Sequence, residues 1–469
     1  MPDGDAARNA PLTIKDVFPP VPTPEWEAAI RRDLKGADYG RKLIWRTEEG
    51  IEVRPYYRAA DLEPLGELAN LAPGQFPYTR GSGQPWEEAQ DWRPPAGAIR
   101  ADLLHDAGAT AVQELGWSLA EAVEKLSGAP AGITFVFAAG STYFMEIAKL
   151  RAARLVWANA VQAFGTGYEK YAPAHVHVRT ARSNKSVYDP HTNLLRAATE
   201  ALSAVLGGAD SLTVEPWGFE PRLALNVQRI LREEAHAGRV ADPAGGAYFI
   251  EALTDSLARE AWKVFQQVEA GGGWSKALAA GSIEESLEAS RAAKAKAVAS
   301  RRRTLVGVNN YPDLREKDPA PAPAGEPNPF GEFRLAEPFE RIRRRTDRHA
   351  RETGRRPRVL LLKRGDVRMK MARANFCLNF FGCAGFEIAE SDTWEGEAAD
   401  LVVLCSSDAE YLALAREVCP AAKAPVLVAG NPKEQAGALA EAGVAGFVHV
   451  ASNAVETLTG WQNRLGMKE

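Results

Sequence analysis

The chain has 469 residues, of which 45% are hydrophobic and 25% charged, a balance typical of a globular protein with two or three domains. Its formal net charge of -4 gives no electrostatic case for nucleic acid or a membrane surface as a partner. No apolar run approaches the roughly 20 residues of a membrane-spanning helix. Residues 1–5, MPDGD, lack the basic and apolar regions of a signal peptide, so we expect a cytoplasmic protein.

A helix and a hairpin are the first elements predicted along the chain. Residues 18–24 are rich in proline and cannot form a helix, but Thr23 can cap a helix over 25–35. Residues 42–47 and 51–57 then alternate as two strands joined by a tight turn.

The central stretch, residues 176–214, has the pattern of one βαβ unit. β-Branched residues over 176–180 predict a buried parallel strand, apolar residues over 194–205 repeat at helical spacing, and Gly207-Gly208 precedes a second strand. A polar segment, RSNKSVYDP at 182–190, follows the first strand. Parallel α/β folds place their ligands at that end of a strand.

We interpret the charged side chains near this stretch as structural rather than functional. Lys149, Arg151 and Arg154, on the helix that precedes it, are expected to form a solvated helix face rather than an anion site. His175 and His177 lie on its first strand, and we expect one to point inward and the other outward. Two histidines alone are not a metal signature.

A second domain is predicted after a linker rich in proline, DPAPAPAGEPNP at 318–329. The four cysteines all follow this linker and form no CxxC pair, so neither a zinc site nor a redox dithiol is predicted. Strand patterns alternate with helical patterns and predict a doubly wound, flavodoxin-like parallel sheet. These strand patterns lie at 358–363, 386–389, 401–404, 426–429 and 446–450.

Three separated motifs resemble the adenosylcobalamin-dependent acyl-CoA mutases, the methylmalonyl-CoA mutase family. They are STYFMEIAKLRAAR at 141–154, the central stretch, and VADPAGGAY at 240–248. The resemblance implies a TIM-barrel-like acyl-CoA mutase domain followed by a cobalamin-binding domain. Only thirteen residues separate Asp91 from His105, where the family places several βα units. We therefore expect a shortened barrel.

The resulting prediction is an α/β protein with four segments. A shortened (β/α) TIM-barrel-like acyl-CoA mutase domain is followed by a degenerate, flavodoxin-like domain of the cobalamin-binding type. The predicted segments are an N-terminal extension at 1–75, the barrel domain at 76–312, a linker at 313–355 and the cobalamin-binding-like domain at 356–469.

Several groups of the family's substrate pocket are replaced in this chain. Asp91 stands where the family has a substrate-packing tyrosine, Thr213 replaces a histidine that controls protons, and Leu225 replaces an arginine. No catalytic residue is therefore predicted. The resemblance implies candidate, potentially vestigial, substrate-binding residues at Tyr78, Arg80, His105, Arg179 and Arg222.

The cobalt-binding motif is also degraded. Family members carry Lys-x-Gly-x-Asp-x-His-x-x-Gly after the first strand, with His as the cobalt ligand, whereas this chain has KRGDVRMKMA at 363–372. Val367, Met369 and Ala372 thus replace the last three motif residues. We expect neither cobalamin nor a metal on this chain. The degenerate cofactor-binding residues implied by the resemblance are Lys363, Gly365, Ser406 and Gly430.

The resemblance thus implies the non-catalytic small subunit of a heterodimeric mutase. Its large subunit would carry adenosylcobalamin and interconvert methylmalonyl-CoA and succinyl-CoA. WEAAI at 26–30 and RPYY at 54–57 are similar to the small-subunit extension that lies against the large subunit, although such a segment can also cap its own domain. Two alternatives stay open: a self-contained acyl-CoA binding or regulatory module, and an active mutase with altered cobalamin ligation.

Overall fold

The computed structural model describes residues 18–128, 131–316, 319, 321–323, 325–396 and 398–468. The chain divides into two compact units, one ending at Ala59 and the other beginning at Ala60. Among the described residues, none of the helices combines the length and the apolar character needed to span a membrane. The predicted boundaries at 75, 312 and 355 stay predictions.

The first unit contains the predicted helix and hairpin. It comprises α1 (Thr23–Asp33), α2 (Tyr39–Leu43) and the antiparallel strands β1 (Trp45–Arg46) and β2 (Glu52–Val53). All residues of α1 and α2 are exposed or half-buried. Trp26 stacks on Tyr56 with ring centroids 4.6 Å apart, and Arg58 lies 5.0 Å above the Trp26 ring. Surface aromatic contacts therefore join the helix to the segment after the hairpin, where Ile51 and Val53 are buried.

The second unit begins with a five-stranded parallel sheet in the order β3-β7-β6-β5-β4. Only ten residues, 89–98, join β3 to β4, yet these two strands lie at opposite edges. The strands are β3 (Glu87–Glu88), β4 (Ile99–Arg100), β5 (Thr134–Ala139), β6 (His175–Thr180) and β7 (Ser211–Thr213). The helices among them are α3 (Ala101–Asp106), α4 (Ala111–Gly128), α5 (Tyr143–Ala163) and α6 (Pro190–Leu206).

Four further helices follow this sheet. α8 packs against α4 and α5. Gly116 permits the close approach to α4, because a Cβ at this position would stand 2.7 Å from the side chain of Val264 on α8. The helices are α7 (Pro221–Arg229), α8 (Tyr248–Ala270), α9 (Trp274–Ala279) and α10 (Ser282–Ala299).

The C-terminal part forms a second five-stranded parallel sheet, in the order β12-β11-β10-β8-β9. β10 and β11 are buried along their whole length, because continuous apolar runs suit strands covered on both faces. The strands are β8 (Arg358–Lys363), β9 (Glu387–Ser391), β10 (Leu401–Cys405), β11 (Val426–Ala429) and β12 (Val444–Val448). Its helices are α12 (Val367–Gly382), α13 (Tyr411–Val418), α14 (Ala436–Glu441) and α15 (Ala454–Arg464).

Helix α11 (Glu337–Thr353), within the predicted linker, connects the two sheets. Phe339 and Ile342 lie in the core of the C-terminal sheet. On its other side, Glu340 accepts a hydrogen bond of 2.9 Å from the Val187 backbone, and Tyr188 donates to Asp347 at 2.8 Å. The polar segment after β6 is thereby bonded to the helix that leads into the second sheet.

A buried ion pair fixes the same polar segment. Lys185 Nζ lies 2.7 and 2.6 Å from the two Glu200 carboxylate oxygens and donates to the Ala181 carbonyl at 2.8 Å. Both side chains are fully buried. Burial lowers the pKa of Lys185 and raises the pKa of Glu200, because each loses the hydration of its charged form.

Replacing Lys185 with Met leaves Glu200 buried without its counter-ion, and we expect the free energy of unfolding to fall by about 3–5 kcal/mol. The matched control is Lys263→Met in the exposed pair of Lys263 and Glu260 on α8, where a loss of about 0–1 kcal/mol is expected. Urea unfolding followed by circular dichroism measures both variants. Equal losses would contradict a dominant effect of burial.

Candidate functional site

A cavity of about 150 Å³ lies at the C-terminal ends of β4, β6 and β7, the edge at which a ligand site is predicted. Each of these strands contributes one residue to the wall of the cavity: Arg100 from β4, Arg179 from β6 and Thr213 from β7. Described residues of the segment 322–334 cover the cavity from the other side. Its volume is below the roughly 300–1,000 Å³ of typical small-molecule pockets.

Arg179 is held by carboxylates of this chain. Its Nε lies 2.6 Å from Asp102, one Nη lies 2.5 Å from Asp106, and the other Nη lies 4.0 Å from Glu215. Burial alone would lower the pKa of Arg179, but Asp106 and Asp102 raise it above its ordinary value. Burial likewise would raise the pKa of Asp106, and Arg179 lowers it. Two aspartates of this chain therefore flank the one guanidinium.

His177 forms another wall of the cavity. Trp92 stacks on its imidazole with ring centroids 3.6 Å apart, and its Nδ1 lies 2.8 Å from the Ser211 hydroxyl. Burial and the neighbouring His175 lower the pKa of His177 to about 3. The imidazole is therefore neutral near pH 7 and cannot serve as a cationic ligand group.

The expectation that His175 and His177 point in opposite directions is wrong. His175 Nε2 lies 2.9 Å from the Ser211 hydroxyl that His177 also contacts. Residues two positions apart on a strand share a face, so both rings reach the same partner on β7.

Arg80 lies in a separate ion cluster. It pairs with Asp242 at 3.3 Å and Glu251 at 3.1 Å, and Arg151 binds the same two carboxylates. The expectation of a solvated face on α5 is wrong for Arg151, which is 1% exposed. Tyr78 lies two residues before Arg80 and packs edge-on against Phe76, with centroids 6.2 Å apart.

His105 belongs to a third cluster. Its Nδ1 lies 3.0 Å from Glu114, which also binds Lys149 at 2.7 Å, and Glu146 lies 2.6 Å from the same ammonium. The solvated-face expectation is therefore wrong for Lys149 too, which is fully buried. The solvated-face expectation is also wrong for Arg154, which is 4% exposed and lies 2.7 Å from Asp210.

Only Arg179 of the five candidate substrate residues lines the cavity. Arg80 and His105 lie in their own ion clusters, and Arg222 is exposed in the first turn of α7. The structure thus places the candidates in separate positions. Their binding roles stay predictions.

Gly365 and Ser406, predicted at the second site, meet at the C-terminal ends of β8 and β10. Between them lies the carboxylate of Glu410, which accepts a hydrogen bond of 2.7 Å from the Ser406 hydroxyl. Lys363 instead pairs with Glu390 at 2.9 Å, and Gly430 follows β11 on the neighbouring loop.

These residues do not fit a cobalamin. α12 begins at Val367, and Asp366 caps it by accepting the backbone N–H of Met369 at 2.8 Å, so the degraded motif is wound into a helix. A thioether at Met369 is a poor substitute for imidazole on cobalt. Within the described ranges, no group of three or more His, Cys, Asp or Glu residues could hold a metal ion.

Sequence reasoning missed the carboxylates that fill both sites. Asp102 and Asp106 are four residues apart on α3, directly after β4, so their spacing could have placed them on one helix face at the ligand edge. Glu410 gave no comparable signal. Ser406 and Ser407 lie only four and three residues before it, but its third partner, the Asp366 backbone, is distant in sequence.

The chain is similar to proteins of one family. Residues 87–354 match the family model described as methylmalonyl-CoA mutase. The chain is 32% identical to the methylmalonyl-CoA mutase small subunit of Porphyromonas gingivalis, covering 96% of this chain and 98% of that protein. It is 33% identical to the small subunit of Streptomyces virginiae, over 89% of this chain and 70% of that protein.

A third relative adds a partial match. The chain is 36% identical to the probable methylmalonyl-CoA mutase small subunit of Mycobacterium tuberculosis, over 79% of this chain and 65% of that protein. The alignment with the Porphyromonas protein runs over 617 positions, 148 more than the 469 residues of this chain. That relative therefore contains residues that have no counterpart in this chain.

We expect the free energy of unfolding to decrease as the pH is lowered, because of His177. Its folded-state pKa of about 3 lies below the roughly 6.5 of an unfolded histidine, so the unfolded state alone gains a proton as pH falls through 6.5. The loss is up to about 1.4 kcal/mol per pH unit. Urea midpoints measured at several pH values between these two pKa values test this.

His177→Gln should flatten this pH dependence, because no imidazole is left to protonate. His191→Gln, at an exposed position on α6, is the matched control and should keep the wild-type slope. If the slope is the same in wild type and His177→Gln, the assignment to His177 is wrong.

Proposed function

The chain belongs to the methylmalonyl-CoA mutase family, and on that premise we propose that it is the non-catalytic small subunit of a heterodimeric, adenosylcobalamin-dependent mutase. The large subunit would bind the cofactor and interconvert methylmalonyl-CoA and succinyl-CoA. This chain would cover and position that catalytic subunit. The names of the small-subunit relatives support this assignment.

The observation that carries the proposal is the state of Arg179. An arginine that binds a substrate carboxylate must offer an uncompensated charge, but Asp102 and Asp106 already hold this one at 2.6 and 2.5 Å. An anionic acyl group would meet two buried aspartates as well as the guanidinium. The repulsion opposes binding.

The cover of the cavity supports the same conclusion. This part of the predicted linker is fixed by hydrogen bonds from Asn328 to the Leu103 carbonyl at 2.8 Å and from the Phe333 backbone to the Asp106 carbonyl at 3.1 Å. Glu326 adds an ion pair to Arg100 at 2.9 Å. A coenzyme A thioester is far larger than this cavity of about 150 Å³ and would have to displace the covering segment to enter it.

We infer further that the first sheet is a shortened TIM barrel. In a closed eight-stranded barrel the first strand pairs with the last, and here β3 pairs with β7 although β4, β5 and β6 intervene in the chain. Three βα units are then missing after β3, at about 30 residues each. The 148 extra alignment positions of the Porphyromonas relative are consistent with such a loss.

The second sheet is proposed to be a degenerate, flavodoxin-like domain of the cobalamin-binding type. Numbered within the domain, its strand order is 2-1-3-4-5, as in flavodoxin-like folds. Met369 and Glu410 support the proposal that this chain holds no cofactor.

The first unit is the proposed contact surface for the large subunit. Phe18, Trp26 and Trp45 are 73%, 41% and 45% exposed, and Arg58 stacks on Trp26. Exposed tryptophans and arginines are typical of the residues that carry binding energy in protein interfaces.

Co-expression with a large subunit of this family tests the proposal. We expect a one-to-one complex on gel filtration, and isomerisation of methylmalonyl-CoA with added adenosylcobalamin only where the large subunit is present. Met369→Ala in this chain should leave the rate of the complex unchanged, because Met369 lies on a helix and holds no cofactor. Turnover by this chain alone would overturn the proposal.

Calorimetry separates the proposed subunit from an acyl-CoA binding module. Titrating methylmalonyl-CoA into the isolated chain should give no binding heat, because Arg179 and Arg80 are occupied by internal carboxylates. Saturable one-to-one binding would favour the binding module instead. The free acid, methylmalonate, serves as the control ligand without the coenzyme.

A further inference from the structure

We propose that the loops after β8 and β10 form an anion-binding site whose resident ligand is the carboxylate of Glu410. The chain thus supplies its own anion and excludes external phosphate or carboxylate ligands from this edge of the sheet. The proposal concerns this domain alone and does not depend on the subunit role.

The site lies where an open α/β sheet favours ligands. β8 and β10 are neighbours in the sheet, but the chain leaves β8 toward β9 on one side and leaves β10 toward β11 on the other. The connections therefore diverge between β8 and β10 and open a crevice at their carboxyl ends. The Glu410 carboxylate occupies this crevice.

Four donors converge on one oxygen of Glu410. The hydroxyls of Ser407 and Ser406 lie 2.6 and 2.7 Å from Oε2, and the backbone N–H groups of Asp366 and Ser407 lie 3.3 Å from it. The Ser406 hydroxyl also lies 2.8 Å from the Arg364 carbonyl and serves one acceptor at a time. Convergent N–H and O–H donors are typical of anion-binding loops.

The donors are all uncharged. Among the described residues, no cation forms an ion pair with Glu410. Hydrogen bonds from the Ser407 and Ser406 hydroxyls, followed by the two backbone groups, lower the pKa of Glu410 to about 2. The carboxylate is therefore ionised throughout the physiological range, as a bound anion would be.

Helix capping accounts for only part of this arrangement. Glu410 directly precedes α13 and accepts the backbone N–H of Ser407, three residues before it, as the glutamate of a capping box does. The Glu410 side chain accepts no N–H from α13 itself. Capping does not explain its contact with the Asp366 backbone N–H in the loop after β8.

Gly365 packs against the same carboxylate. It has a φ of +77°, and a Cβ at this position would stand 2.2 Å from a Glu410 carboxylate oxygen. The backbone of the β8 loop and the carboxylate are thus in direct contact. A second anion cannot enter without displacing Glu410.

Chemical rescue tests the proposal. Glu410→Ala removes the anion and leaves the donors without an acceptor, so the urea midpoint should fall. Formate or inorganic phosphate should then raise the midpoint of Glu410→Ala in a saturable way, at concentrations that leave the wild type unchanged. Glu417→Ala is the matched control, because Glu417 lies on α13, directly after Glu410 in the chain, and its ion pair among the described residues is with Arg364 at 3.5 Å.

Each outcome is informative. Rescue of Glu410→Ala alone supports a site with a resident anion. Comparing the rise in urea midpoint with formate and with phosphate then shows which oxyanion the site prefers. No rescue by either anion, or equal shifts in Glu417→Ala and wild type, overturns the proposal. If Glu410→Ala does not fold, Glu410→Gln keeps the shape without the charge, and the same anions should raise its midpoint by competing with the weaker amide acceptor.

The result is separable from the proposed subunit role. Rescue without a stable complex with a large subunit would leave the anion site intact and remove only the subunit role. A stable complex without rescue would support the subunit role and overturn the anion site.

Discussion

A buried arginine shared by two aspartates determines what the first sheet can bind. Arg179 projects from β6 toward the ligand edge, and Asp102 and Asp106 reach it from the helix that begins immediately after β4. Removing one partner of such a buried set leaves an uncompensated charge, which is costly. Asp102 also pairs with Arg100 at 2.9 Å, so Arg179 is part of an ion network within the chain, and an anionic ligand would have to compete with these aspartates.

The same pattern recurs elsewhere in the chain. Arg80 and Arg151 share Asp242 and Glu251, and the loop donors of the second sheet are satisfied by Glu410. In each case a group of the type that ordinarily recognises an acyl, phosphate or cofactor oxygen already has an internal partner. Both sheets retain the layout of a ligand-binding protein, while these groups are paired with carboxylates of the same chain. This favours a role based on shape and contact surface.

Much of the fold was predictable, and the sites less so. Periodicity located the second sheet and the central βαβ unit, because strand and helix patterns are local. The family predicted from three motifs is confirmed. Burial of Lys149 and Arg151 was missed, because a charged residue on a helix is usually solvated and its counter-ions, such as Asp242, are remote in sequence. Glu410 was missed because its contact with the loop after β8, at Asp366, joins residues that are distant in sequence.

The pairing of β3 with β7 has a consequence for biosynthesis. Glu87 pairs with Ser211, so β3 can pair with β7 only after more than a hundred further residues have left the ribosome. Contacts of such long range form slowly, because loop closure must precede them. During translation, β3 therefore remains without its partner strand until β7 has been synthesised, an interval in which a chaperone would act on it.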